Sequence, residues 1–149
     1  MGVKGVLAGA CVVAIALGGM ARAQAIDPIL VRQGGFDLMG AVAANMKRGV
    51  DSGAEVKPFA DDAAALANWG TIIPTLFPPG SETGHDTKAK PDIWSDRAGF
   101  DKAAADFSAA AKKLADAAKS NDKAAFADAF KATGGACGAC HKTFRARTN

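Results

Sequence analysis

The 149-residue sequence predicts an all-α fold, an antiparallel up-down-up-down four-helix bundle. Three observations point to it. Apolar residues recur at spacings of three and four over four separate stretches. β-branched residues are few and never alternate over a useful length, so strand signals are absent. The first and third connections between the stretches are short, which makes successive helices antiparallel neighbours.

Ahead of the first stretch stands MGVKGVLAGACVVAIALGGMARAQA. Lys4 gives a short positive start, residues 5–20 are apolar, and Ala21-Arg22-Ala23 fits the small-x-small rule for cleavage. Residues 1–23 therefore read as a secretory signal peptide, and 24–149 as a single bundle domain. The apolar run is too short and too glycine-rich to favour a permanent membrane span. Cleavage removes Lys4 and Arg22 from the 18 Lys and Arg, leaving 16 against 15 Asp and Glu. A net charge near +1 makes no case for nucleic acid or for a membrane surface after processing. The expected location is the periplasm. Cys11 leaves with the signal, so only Cys137 and Cys140 remain.

The first helix opens at Asp27-Pro28, an N-cap residue followed by a proline suited to the first turn. Ile29, Arg32, Phe36, Met39, Ala43, Met46 and Val50 form one face, and Asp51-Ser52-Gly53 ends it. The second begins near Pro58, with Phe59, Ala63, Leu66, Gly70 and Ile73 as its stripe, and Pro74 stops it. The third opens at Ser95-Asp96 and buries Phe100, Ala103, Phe107, Ala111, Leu114 and Ala118. The fourth follows Asn121-Asp122, with Phe126, Phe130, Thr133, Cys137, Cys140 and Phe144 recurring. The second connection, PTLFPPGSETGHDTKAKPDIW, is long and rich in Pro, Gly and charge. A loop of that length is uncommon in compact domains. It either runs the length of the bundle or covers one end.

The last helix carries C137-G-A-C140-H141. At about 100° per residue, both sulfurs and the imidazole leave one face within one turn. A flat cofactor on that face is within reach of both thiols, with the histidine beneath its centre. That is the sense of C-x-x-C-H as a c-type haem attachment signal, with His141 as the metal ligand. Three other readings compete. A disulfide three residues apart in a helix closes a tiny loop and stabilises little. A thioredoxin-type centre wants its first cysteine at a helix start after a strand. Structural zinc needs about four ligands, and His85, in the long loop, is the only other histidine. Gly134 and Gly135 interrupt the helix just before the cysteines, at a cost of roughly 1 kcal/mol each against alanine, which close approach of another group would justify.

With a haem on the last helix, the first helix supplies the facing wall. Arg32 stands on an otherwise apolar stripe; a buried arginine wants an anionic partner such as a propionate, whereas one near a helix end snorkels to water. Phe36 suits core packing and also cover for the far side of the haem. Met39 and Met46 are core filler or a sulfur ligand. Arg145, four residues after His141, is expected on the same side of the last helix. Trp69 and Trp94 read as core or cap residues, and His85 as a solvated loop histidine. No nucleophile or general-base constellation stands apart from the haem motif, so no enzyme is expected.

On CGACHKTFR, PDIWSD and VRQGGFDLMG, across essentially the whole processed chain, the sequence resembles the cytochrome c′ family, the class II c-type cytochromes. The resemblance implies one covalent haem c per chain through Cys137 and Cys140. It implies His141 as the sole protein axial ligand on a five-coordinate, high-spin iron. Phe36 matches the side chain shielding the open distal face, Arg32 the arginine near a propionate, and Arg145 the basic residue beside the proximal histidine. It further implies binding of NO and CO with discrimination against O2, one-electron transfer with unnamed redox partners, and homodimers through the first two helices. Some class II relatives instead place a first-helix methionine on the iron and act as low-spin electron carriers, and Met39 is the candidate for that alternative.

Overall fold

A computed structural model of the chain describes residues 26–147, so the expected signal peptide lies outside the described residues. The elements are α1 (Pro28–Ser52), a 3-10 turn (Lys57–Phe59), α2 (Ala60–Ile72), a second 3-10 turn (Ile73–Leu76), the single-turn α3 (Asp92–Ser95), α4 (Arg97–Lys119) and α5 (Lys123–Phe144). The four long helices, α1, α2, α4 and α5, are the four read from the sequence. Three of them start at an aspartate whose carboxylate accepts backbone N–H groups of the first turn: Asp27 from Ile29 and Leu30, Asp96 from Gly99, and Asp122 from Ala125. Gly53 closes α1 in the left-handed conformation (φ 65°), its N–H directed at Gly49 O and Val50 O. The second helix differs from expectation at its ends. Pro58 and Pro74 each sit inside a 3-10 turn, which tolerates the missing N–H, so the α-helical part is only 60–72.

The two short connections meet at one end of the bundle. Asn121, itself left-handed (φ 55°), accepts the N–H of Val56 (3.1 Å) and of Lys57 (3.0 Å) on its side-chain oxygen. Lys123 adds an ion pair to Glu55 at 2.7 Å. At the other end the long connection folds back over the bundle. Lys90 N donates to Phe144 O (3.0 Å) and Ala146 N to Lys88 O (2.8 Å), forming an antiparallel bridge between Ala89 and Arg145. This connection covers one end, as one of the two expected courses has it.

The core is built from α2, α4 and α5, around Leu66, Phe100, Phe107, Leu114 and Phe126, all nearly inaccessible. Helix α2 approaches α4 so closely that a Cβ at Gly70 would fall 2.7 Å from Ser108 Cβ and 2.9 Å from Ser108 Cα. The Ser108 hydroxyl donates across the same contact to Ala67 O at 2.7 Å. Helix α1 stands further off. It meets α2 where Trp69 lies on Gly35 and the first 3-10 turn where Phe59 lies on Gly49, Met46 enters the core, and beside Phe36, Met39 and Gly40 a space separates it from α4 and α5.

Gly70→Ala is expected to destabilise the bundle by about 1–3 kcal/mol, overpacking outweighing the helix propensity gained. Chemical denaturation of the haem-loaded protein checks this, and an unchanged midpoint refutes the close α2–α4 packing.

Candidate functional site

The space beside α1 is a cavity of about 760 Å³, within the roughly 300–1,000 Å³ usual for small-molecule sites. Cys137, Cys140 and His141 of α5 open onto one side, and Phe36, Met39 and Gly40 of α1 onto the other. Phe77 and Thr87 of the long connection, with Phe100 and Phe107 of α4, complete it. The sequence pattern thus brings the motif and the distal candidates to one place.

The residues present fit a flat iron macrocycle. Phe36 and His141 meet edge-on in the cavity, with ring centroids 6.5 Å apart and planes at 74°. Gly40 and Gly134 line opposite walls, and a Cβ at either would meet nothing within 4 Å. The expected close approach at Gly134 and Gly135 is therefore to the cavity at Gly134; Gly135 is exposed, and nothing in the fold explains it. Both thiols are free and half-buried, and burial pushes each above the usual thiol pKa. Burial, and then the nearby Arg145 guanidinium, hold His141 below the usual imidazole range, which favours the neutral form that ligates metals. Among the described residues no group of three or more His, Cys, Asp or Glu side chains could hold a metal ion. His85 is no wall of this cavity. Structural zinc therefore lacks its ligands.

Arg32 is 2% exposed, so it does not snorkel, and the partners it finds inside the protein are neutral oxygens. Nη1 donates to Leu76 O (3.2 Å) and Ser81 Oγ (2.8 Å), and Nη2 to Ser81 O (2.7 Å) and Thr87 Oγ1 (3.1 Å). All four terminal N–H groups are spent on the long connection, which leaves Nε–H alone for a propionate. The guanidinium also stacks on Phe77, 4.3 Å from the ring centroid. Arg97 of α4 grips the start of the same connection, through Phe77 O (3.2 Å) and Pro74 O (2.7 Å).

The other sequence candidates divide. Arg145 lines the cavity, but α5 ends at Phe144, and Arg145 is extended (φ −117°, ψ 133°) because its backbone pairs with Ala89. Met46 is wholly buried and is core, which leaves Met39 as the first-helix methionine in the cavity wall. Trp94 donates to Pro78 O (3.2 Å) and packs edge-on to Phe77. The indole N–H of Trp69 is buried without a partner. His85 is pinned: left-handed backbone at His85 and Asp86 turns its ring onto Asp27 (Nε2 to Oδ2 2.9 Å), while Gln33 donates to its carbonyl (2.8 Å). The backbone N–H of Ile29, then His85, hold the Asp27 carboxyl below the usual range. The positions that sequence reasoning missed, Thr87 and Lys88 in the cavity wall and Ser81 behind Arg32, carry no periodic signal. Cys140 lines a second, smaller groove of about 360 Å³ between α4 and α5, together with Asp96, Lys102 and Asp106.

Replacing Arg32 with Met is expected to cost about 2–4 kcal/mol, since several hydrogen bonds from a buried cation are lost, each worth roughly 1.5–3 kcal/mol before relaxation. Hydrogen exchange at the amides of Ser81 and Thr87 should accelerate with it. Unchanged exchange there would refute the clamp.

The sequence model of the family Cytochrome C′ matches residues 27–145. The chain is 42% identical over 123 residues to cytochrome c′ of Rubrivivax gelatinosus, covering 80% of this chain and 94% of that one. Among solved structures, a leucine-to-alanine variant of cytochrome c′ from Alcaligenes xylosoxidans in its nitric oxide complex superposes with a TM-score of 0.74 at 29% identity, covering 82% of this chain and 95% of that one. A cytochrome c′ with ligand-controlled dimer dissociation does so at 0.74 and 30% identity, covering 83% and 99%. With a C-x-x-C-H motif and a facing apolar wall opening onto one cofactor-sized cavity, the chain belongs to the cytochrome c′ family.

Proposed function

We propose that the protein is a periplasmic c-type haem protein that binds NO and CO on a five-coordinate, high-spin iron and exchanges single electrons. The observation that carries this reading is the pair Phe36 and His141, aromatic ring and imidazole meeting edge-on in the cavity. Cys137 and Cys140 hold one haem per chain by thioether bonds, and His141 is its only protein ligand. The bound haem supplies a redox-active iron with one open axial position. Phe36 covers that position and offers it no hydrogen-bond donor. Bound O2 takes negative charge from iron and needs such a donor, while CO and NO need it less. Burial, and then the charge of Arg145, favour the neutral imidazole of His141. Among the described residues no nucleophile or general-base constellation stands apart from the haem motif, and the reading is of a binder and carrier, not an enzyme. The nitric oxide complex of the Alcaligenes xylosoxidans relative supports the gas ligand. The leader over residues 1–23 supports the periplasm, and no described helix is long and apolar enough to cross a membrane.

A second reading is favoured by Met39 alone: its sulfur-bearing chain lines the same cavity, and a methionine on iron would give a low-spin electron carrier. The absorption spectrum separates the two. A broad high-spin spectrum that shifts with CO, unaltered in Met39→Ala, is the expected result. Phe36→Ala should then speed CO binding at least several-fold; an unchanged rate removes Phe36 as the gate.

The protein also pairs with a second copy through α1 and α2. Leu38 (71% exposed) and Leu30 (53%) lie two turns apart on α1, and Ile72 (43%) is exposed on α2. The dimer of the related structure supports this. Leu38→Glu should shift sedimentation to the monomer at micromolar concentration, and a variant sedimenting as the wild type would place the contact elsewhere.

A further inference from the structure

The bridge between Ala89 and Arg145 gathers positive charge at one lip of the cavity. Lys88 and Arg145 line the cavity itself, Lys142 follows His141 directly, and Arg147 follows Ala146, whose N–H is bonded to Lys88 O. All four side chains are exposed. None lies within 4 Å of a carboxylate among the described residues, whereas Lys47, Lys90, Arg97, Lys102, Lys119 and Lys123 are each paired. Arg48, Lys57, Lys112, Lys113 and Lys131 have no carboxylate partner among the described residues either, but they do not line the cavity. The facing lip, on α1, contributes Gln33 and Asp37, the only carboxylate in the cavity wall. Charge kept unpaired beside a redox site steers a partner of opposite sign and fixes its orientation.

We propose that Lys88, Lys142, Arg145 and Arg147 form the docking surface for the acidic face of a one-electron carrier protein. This deepens the haem reading above and rests on it. One electron passes between the haem iron and the partner's redox centre. One is oxidised as the other is reduced, no bond is made or broken, and no proton moves. The lip sets the direction of approach, so that the partner's centre arrives at the side of the cavity where Cys140 and His141 sit.

The test uses the haem-loaded, ferrous protein and two oxidants of opposite charge, the trianion hexacyanoferrate(III) and the trication tris(phenanthroline)cobalt(III). It compares wild type with the double variant K142E/R147E, which spares the cavity wall. In wild type, raising salt should slow oxidation by the trianion and hasten it by the trication. The variant should lose about five-fold or more with the trianion and gain with the trication. An acidic plastocyanin as oxidant should follow the trianion. A change of the same sign with both ions marks an altered potential and overturns the proposal, as does no change with either. A second arm sediments the protein with phosphatidylglycerol vesicles at 0.15 M salt. The expected result is that it stays in solution, and pelleting abolished in the variant would assign the lip to a membrane surface instead. Haem content is read from the same samples by absorption. A haem-loaded protein indifferent to oxidant charge therefore sinks the docking surface and leaves the haem reading standing.

Discussion

A guanidinium with almost no access to water must find oxygen acceptors inside the protein, and in this bundle they all come from one place. The terminal nitrogens of Arg32 are directed at Leu76, Ser81 and Thr87, so the irregular chain between the second helix and α3 has one arrangement open to it. Burial without these partners would be strongly unfavourable. With them, the connection is stitched to α1, and Phe77, wedged beneath the guanidinium, carries the order inward. Phe77 packs edge-on to Phe100 at 4.9 Å, and Phe100 to Phe144 at 5.2 Å. A chain of aromatic contacts thus runs from the arginine to the last helix, within one turn of His141. The wall that the connection gives to the cavity follows from that chain.

The division of labour among the helices follows. α2, α4 and α5 supply the packed core, with glycine at Gly70 where two backbones meet. α1 meets them at the glycine–aromatic contacts of Gly35 and Gly49 and through its apolar stripe. That stripe lines a cavity in the middle, at Phe36, Met39 and Gly40, and is wholly buried in the core at Met46. One amphipathic pattern serves two purposes along a single helix.

Much of this was legible in the sequence. The caps at Asp27, Asp96 and Asp122 mark helix starts by local chemistry alone, and a period of three and four places Cys137 and Cys140 on the buried face without any tertiary knowledge. The family resemblance placed Phe36 opposite the motif, and in the structure its ring meets His141 edge-on. What escaped was long-range and irregular. No periodicity announces that Ser81 and Thr87 will supply neutral oxygens to Arg32 from about fifty residues away. His85 is an exposed loop histidine as read, but nothing local shows that two consecutive left-handed residues will turn it onto Asp27. Arg145 was extrapolated along a helix that a bridge to Ala89 brings to an end.

The two walls of the cavity come from opposite ends of the chain, Phe36 near the beginning and His141 near the end. Contacts so distant in sequence close the longest loop in the chain and carry the largest chain-closure entropy. The facing of α1 and α5 across the cavity therefore depends on every helix and connection between them, so that an insertion anywhere along the chain lengthens the loop this one pair has to close.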